Sequence, residues 1–252
     1  MNFKLVKCIF FVFCNFSVLP YDHPGSNSFI EFGAVKNRST FGYQVYAPYA
    51  VPKFVLGPVT LEAFRLNVDL LEFGEFKIGP MMAYNFTPYA GTEIAHLNGM
   101  KRSGFIETGL LGSLSIPMGM MFFHASRALH DEPGNIFKIA VASGIPLISM
   151  KSNHIWLNIL AEYSYLTKAT SSYMFGVRDN ESRVNRGAHT INGLGLFTLV
   201  TGLWTPISKN WWINLTYKFD NFENKILKSP IVTRDTEETL MLGLMYSFGD
   251  LN

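Results

Sequence analysis

From residue 28 onward, apolar and polar side chains alternate along the chain with a period of two, which is the repeat of a β-strand and not of a helix. Ile213 and Leu215 share one face of the segment 211–220, whereas Asn214 and Thr216 share the other. The same alternation recurs in the segments 64–70, 104–116, 135–147 and 154–165. The pattern predicts strands with one apolar face and one face of polar or small residues.

The length of these segments favours a membrane barrel over a soluble sandwich. Strands of about ten residues that are apolar on one side are typical of transmembrane barrels, whereas soluble strands are usually nearer five or six residues. The clearest strands are predicted at 60–71, 76–85, 103–116, 119–128, 135–146, 153–164, 190–204, 210–220 and 238–248. Three more strands in 28–57 would put both termini on the periplasmic side. We therefore predict an all-β, antiparallel, up-and-down transmembrane barrel of about twelve strands, with about ten as the alternative, and no helix.

Short and long connections alternate between these strands, as periplasmic turns and external loops do in outer-membrane barrels. Short turns are predicted near 72–75, 117–118, 147–153 and 205–209. Longer polar connections are predicted at 86–102, 129–134, 165–189 and 221–237. This asymmetry places the chain in the outer membrane of a Gram-negative bacterium, with lipid against its apolar faces.

The first twenty residues resemble a secretory signal peptide. Lys4 and Lys7 precede an unbroken apolar run at 8–13, which is too short to span a bilayer as a helix. No A-x-A pattern marks the cleavage site, so processing anywhere from 17 to 28 fits. We predict a signal peptide at 1–20, a barrel at 28–248 and a short tail at 249–252.

Composition and charge exclude several kinds of function. The 21 basic and 19 acidic residues are nearly balanced, so no electrostatic footprint for nucleic acid exists. Both cysteines, Cys8 and Cys14, lie in the leader, which leaves the mature chain without a disulfide or a thiol nucleophile. We expect no cofactor and no metal, and we interpret His130, Asp131 and Glu132 as a solvated loop. Charged side chains of both signs are predicted to pair inside the lumen: Arg65, Asp69, Lys77, Glu107, Lys138, Glu162 and Lys218.

Aromatic residues mark the predicted periplasmic end of the barrel. Trp204 and Trp211 flank one short turn, and we predict them to be interfacial aromatics at the membrane boundary. The last strand ends in an apolar face that includes Leu244, Tyr246 and Phe248. This face resembles the carboxyl-terminal signal that the barrel-assembly machinery recognises, although four further residues follow it.

Short motifs in a fixed order give the sequence a family resemblance over most of 30–248. They are Gly79-Pro80 with Tyr84, Leu97-Asn98-Gly99, Glu107-x-Gly109, Met174-Phe175-Gly176-Val177, Ser229-Pro230-Ile231 and Gly243-x-x-Tyr246-x-Phe248. On these motifs the chain resembles the MipA/OmpV family of outer-membrane proteins. The resemblance implies a barrel without enzymatic activity that links a murein hydrolase, a lytic transglycosylase, to a murein synthase.

Three other functions remain open from the sequence. A barrel of this size could be a small pore, or a surface adhesin or antigen. His124 and Ser126 alternate on one strand and resemble the His-x-Ser of outer-membrane lipid A 3-O-deacylases, in which a base activates a serine. An acid that orients the histidine is not evident, because the neighbouring strand offers Lys138.

Overall fold

The computed structural model describes residues 28–85, 97–100, 102–132, 134–150 and 153–248. The predicted signal peptide at 1–20 and the tail at 249–252 lie outside the described residues. Most of the described residues lie in strands, because the period-two pattern gives each segment one face for lipid and one face for the interior.

The strands in chain order are β1 (Phe29–Arg38), β2 (Gln44–Leu56), β3 (Val59–Glu62), β4 (Arg65–Val68), β5 (Leu71–Phe73), β6 (Phe76–Asn85), β7 (Phe105–Ile116), β8 (Gly119–Leu129), β9 (Gly134–Met150), β10 (Asn153–Leu166), β11 (Leu194–Pro206), β12 (Trp211–Phe222) and β13 (Thr236–Ser247). One α-helix, α1 (Lys168–Phe175), and two 3-10 helices, Asp179–Glu181 and Asn224–Lys228, lie in the connections. The helices of the described residues are too short and too polar to cross a bilayer.

Antiparallel pairing between neighbours in the chain closes the sheet into a barrel. The first and last strands, β1 and β13, pair over ten residues, from Phe29 opposite Ser247 to Arg38 opposite Glu238. Both β4 and β5 pair with successive parts of β6, so the barrel has twelve strands and β5 is one short extra strand. The predicted all-β barrel of about twelve strands is therefore confirmed.

The amino-terminal third corrects two details of the prediction. Residues 28–57 hold two strands instead of three, and the segment 60–71, predicted as one strand, turns back on itself. Ala63 adopts a positive φ of 48° between β3 and β4, which reverses the chain after only four residues of β3. The two errors compensate, so the total still comes to twelve strands.

The outer surface of the barrel is apolar and its inner surface is largely polar, as the alternation predicts. On β12, Ile213 and Leu215 are exposed on the outside, whereas Asn214 and Thr216 are buried on the inside. Tyr246 on β13 stacks edge-on against Trp211 at 4.9 Å and against Phe248 at 5.3 Å between ring centroids. The predicted assembly strand thus carries an aromatic cluster near its carboxyl end.

Among the residues that the structure describes, the first eight residues of β2, 44–51, have a strand neighbour on one side only. Residues 44–53 pair with β1, but β3 pairs only with 53–56, so 44–51 form a free edge. The N–H of Ala63 donates to the carbonyl of Pro52, which shows that even-numbered residues of β2 direct their backbone groups away from β1. The backbone nitrogen of Pro48 therefore faces the free edge. Because proline has no N–H, this edge has one unpaired hydrogen-bond donor fewer.

The seam between β1 and β13 requires glycine. Gly33 lies opposite Gly243, and the side chain of Tyr49 crosses both of them on the inner face. The hydroxyl of Tyr49 donates a hydrogen bond to the buried carboxylate of Glu31. A Cβ atom on Gly33 would overlap the carbonyl oxygen of Leu242 and come within 2.6 Å of the Tyr49 ring.

We expect Gly33→Ala to destabilise the folded barrel by about 2 kcal/mol, because overpacking at a site bounded by backbone cannot relax. The urea midpoint of the barrel refolded in detergent, followed by tryptophan fluorescence, measures the change. Gly112→Ala is the matched control, since its Cβ would only touch the Phe76 ring at 3.4 Å. Equal midpoints for the two variants would contradict this account of the seam.

Candidate functional site

One group of buried polar side chains in the interior centres on Glu107. The alternation of β7 turns Glu107 inward, and the alternation of β8 turns His124 and Ser126 toward it. Nε2 of His124 lies 2.7 Å from Oε1 of Glu107, and the Ser126 hydroxyl donates to the same oxygen at 2.5 Å. The amide of Asn85 donates to the other carboxylate oxygen at 2.8 Å.

A glycine makes this close approach possible. A Cβ atom on Gly109 would come within 2.5 Å of the backbone of Ser126 and 2.7 Å of its Cβ. In the motif Glu107-x-Gly109, Glu107 therefore provides the carboxylate that accepts the hydrogen bond. Gly109 provides the room that Ser126 needs to reach that carboxylate. Glu107 is the acid that sequence reasoning missed, although this motif on the adjacent strand was its signal.

The geometry around Glu107 favours a structural role over catalysis. Both His124 and Ser126 are directed at one carboxylate oxygen, whereas activation of a serine needs its proton to be held by the histidine. Both side chains are also buried on the inner face of β8, away from the lipid that meets the outer face. The Ser126 hydroxyl is therefore engaged by the Glu107 carboxylate, and His124 lies beside the same oxygen.

Further charged side chains pair around the lumen, as predicted. Nζ of Lys218 lies 2.8 Å from the carboxylate of Asp220, which also accepts a hydrogen bond of 2.5 Å from Thr198. Nζ of Lys138 lies 4.0 Å from Glu162. Lys77 differs, because it pairs with Glu72 beside a short turn and both groups remain largely exposed. The pairing limits the desolvation cost of burying these charges inside a membrane barrel.

An apolar cap covers the end of the barrel that carries the long loops. The external cap comprises residues 97–100, 102–104, 167–193 and 223–235. Its apolar side chains pack with inward-facing residues of the strands into one buried cluster: Phe41, Leu97, Met100, Phe105, Ala128, Ile136, Leu166, Tyr173, Phe175, Val177, Ile191, Leu194, Phe222, Ile226, Ile231 and Val232. The cluster draws on strands around most of the circumference, so it extends across the external mouth.

The helix α1 in this cap contradicts the prediction of a chain without helices. Its residues have modest helix propensity, and the structure fixes it through contacts to other segments. The hydroxyls of Ser171 and Ser172 both donate to the carbonyl of Ile191 at 3.0 Å. The helix therefore depends on packing that the local sequence does not reveal.

Arg102 joins the parts of the cap. Its buried guanidinium donates to both carboxylate oxygens of Glu181 and to the carbonyls of Tyr173 and Gly176. Burial alone would raise the pKa of Glu181, but the hydrogen bonds from Arg102 and from the backbone of Arg178 hold that pKa below its ordinary value. Glu181 therefore stays ionised and keeps the arginine satisfied.

Three of the family motifs lie in this cap. Gly99 has a positive φ of 82° and lies against the guanidinium of Arg183. Gly176 ends α1, where a Cβ would come within 2.7 Å of the carbonyls of Ser172 and His189. Ser229 donates to the carbonyl of Phe175 at 2.5 Å. Each motif thus serves the contact between two loops.

The periplasmic end corrects the prediction for Trp204. Trp204 is only 4% exposed and lies inside the barrel, where it packs with Phe29, Met245, Trp156 and Trp212. It therefore cannot face lipid as an interfacial aromatic. Trp211 does lie on the outer surface, beside Tyr246, and its role at the membrane boundary stays a prediction.

The loop residues His130, Asp131 and Glu132 make separate contacts. His130 stacks on Tyr173 at 4.0 Å between ring centroids, and Asp131 pairs with Arg178 at 3.1 Å. Within the described ranges, no three His, Cys, Asp or Glu side chains converge as a metal site.

We expect Glu107→Gln to lower the free energy of unfolding by about 1–3 kcal/mol, because an amide has one acceptor oxygen instead of two and cannot accept both from Ser126 and from Asn85. Urea unfolding in detergent measures the loss. Glu72→Gln, at an exposed turn position, should leave the midpoint unchanged. A Glu107→Gln variant as stable as the native chain would mean that the contacts around this carboxylate contribute nothing.

The cap should loosen in acid because of Glu181. A carboxyl whose folded-state pKa is lowered contributes stability above its unfolded pKa and loses that contribution as the pH falls through the folded pKa. Amide hydrogen exchange of residues 168–193, corrected for intrinsic rates, should therefore rise as the pH falls from about 5 to about 3. Glu181→Gln should remove this dependence, and the same pH profile in both proteins would contradict the assignment to Glu181.

Solved structures that resemble the chain are outer-membrane proteins at low similarity. OmpT of Vibrio cholerae in its trimer form has 7% identity and a TM-score of 0.40, covering 79% of this chain and 64% of that chain. The transport unit of the autotransporter AIDA-I from Escherichia coli has 10% identity and a TM-score of 0.32, covering 97% of both chains. Ail of Yersinia pestis has 11% identity and a TM-score of 0.23, covering 89% of this chain and 99% of that chain. The chain thus spans less than two thirds of the Vibrio cholerae protein.

A search of curated protein sequences found no match. The family model that matches is that of MipA, the MltA-interacting protein, over residues 31–248. This span includes the Glu107 group, the external cap and every motif that carries the resemblance. The chain belongs to the MipA family, and it is a β-barrel protein of the Gram-negative outer membrane.

Proposed function

We propose that this protein is a non-enzymatic scaffold in the outer membrane that links a lytic transglycosylase to a murein synthase. The observation that carries the proposal is the family match over nearly the whole barrel, because the family is described by its interaction with MltA. Outer-membrane lipid contacts the apolar outer face in this proposal, and the assembly machinery recognises the strand that ends in Leu244, Tyr246 and Phe248.

The interior supports a scaffold better than a pore. The external cap packs as one apolar cluster across the mouth, and the described polar groups of the lumen are largely paired with one another. A conducting channel needs a continuous polar path, which the packed cap interrupts. The barrel is thus better suited to hold a surface in place than to pass solutes.

The short turns supply a surface for a periplasmic partner. Three apolar side chains beside them are exposed: Phe73 by 65%, Met118 by 80% and Ile207 by 55%. Large apolar side chains at the rim of a membrane protein can contact lipid or a protein partner. Replacing them with polar residues and measuring retention of the partner distinguishes these two roles. We place the contact with the transglycosylase at these turns.

A pull-down tests this proposal. The refolded, tagged barrel in detergent should retain a lytic transglycosylase from a solubilised envelope fraction, and the variant Phe73→Ser with Met118→Ser should retain at least fivefold less. The matched control is Val184→Ser, because Val184 is fully exposed in the external cap at the opposite end. All three proteins are first required to show the fast-migrating unheated form on a gel.

Failure to retain a transglycosylase at both low and moderate salt would overturn the scaffold role. Retention that is equal for the double variant and for Val184→Ser would keep the scaffold but move its contact away from the short turns.

A further inference from the structure

Beneath the external cap, the barrel encloses a cavity of 140 Å³. This volume is close to the roughly 150 Å³ of an engineered apolar cavity that holds one benzene molecule. The upper wall is aromatic and includes Phe41, Phe105, Phe175 and Phe222. The rest of the wall is formed by polar and charged side chains of the strands, so the cavity has one apolar side and one ionic side.

Among the described residues that line this cavity, acidic groups outnumber basic ones. Its lining contains the carboxylates of Glu62, Glu107, Glu162, Asp220 and Glu237. The basic residues of the lining are Arg65, Lys138 and Lys218. Lys53 and Arg65 lie opposite Glu62 on the two neighbouring strands, and with Lys53 counted the described carboxylates still outnumber the basic groups by five to four. Uncompensated negative charge inside a barrel is costly, so the cavity favours a cation.

Glu62 differs from the other four carboxylates. Glu107, Glu162, Asp220 and Glu237 each accept a hydrogen bond from a protein side chain. Glu62 is only 6% exposed, and its Oε1 has no hydrogen-bond partner among the described residues. A buried carboxylate oxygen without a donor is destabilising unless something else donates to it.

We propose that the cavity binds a small organic ammonium cation, with its N–H groups on Glu62 and its alkyl part under the aromatic wall. An ammonium group supplies up to three donors and a positive charge, which match the carboxylate and its acidic neighbours. The phenylalanine rings of the upper wall offer the alkyl part an apolar surface away from water. A metal ion fits less well, because no three ligating side chains converge in the part of the chain that is described.

The turn between β3 and β4 belongs to the same site. Ala63 and Phe64, which form this turn, are part of the cavity lining. The cavity therefore extends to the barrel wall at the residues that follow Glu62 in the chain.

Calorimetric titration of the refolded full chain in detergent with 1,4-diaminobutane tests the site. The diamine should bind with a one-to-one stoichiometry, and 1,4-butanediol, which has the same length and no charge, should bind at least tenfold more weakly. Glu62→Gln should weaken diamine binding at least tenfold. Glu72→Gln, which removes an exposed carboxylate from a short turn, should change it less than twofold.

Several results would overturn the proposal. They are an absence of diamine binding, equal binding of the diol, or full affinity in Glu62→Gln. If Glu62→Gln does not give the fast-migrating folded form, the comparison of diamine with diol on the native chain decides. Because no periplasmic protein takes part, this outcome is independent of the scaffold proposal.

Discussion

Backbone hydrogen bonding in an environment without water is the constraint on which this structure depends. A sheet in hydrocarbon must close on itself, since every unpaired N–H or C=O there is costly. The ten-residue seam between β1 and β13 meets this demand, and it does so where Gly33 and Gly243 leave room for Tyr49. The free edge of β2 is an exception among the described strands. Pro48 reduces its cost, because proline has no N–H to leave unpaired.

The same closure explains why small residues recur in the family motifs. A closed barrel brings distant segments side by side on its inner face, and small residues are required wherever two of them approach closely. Gly109 admits Ser126 to Glu107, and Gly243 admits Tyr49 to the seam. The hydroxyl of Ser229, in another external loop, donates a hydrogen bond to the carbonyl of Phe175 at the end of α1. The motifs thus mark contacts between segments that are distant in the sequence.

Alternation in the sequence was enough to predict the barrel and its outward apolar face, because lipid and lumen impose opposite chemistry on alternate residues. The total of twelve strands was correct because two errors within residues 28–71 compensated. The prediction from alternation failed where the two faces of a segment do not differ clearly in polarity. The segment that ends at Trp204 is apolar on both faces, so its inward orientation could not be assigned. The reversal at Ala63 carries no glycine or proline, and its signal in the sequence is small: two apolar residues, Ala63 and Phe64, follow one another, so the alternation shifts by one residue. The helix α1 and the role of Glu107 depend on partners distant in sequence, Ile191 for the first and His124 for the second.

The two ends of the barrel differ in a way that bears on function. The external end is covered by long loops that share one apolar cluster and are joined through Arg102, so a change in one loop is opposed by the others. The periplasmic end has short turns, beneath which Trp204 and its neighbours fill part of the lumen. The contact that we propose for a periplasmic partner would therefore fall on a rim of short turns that the barrel holds at the membrane surface.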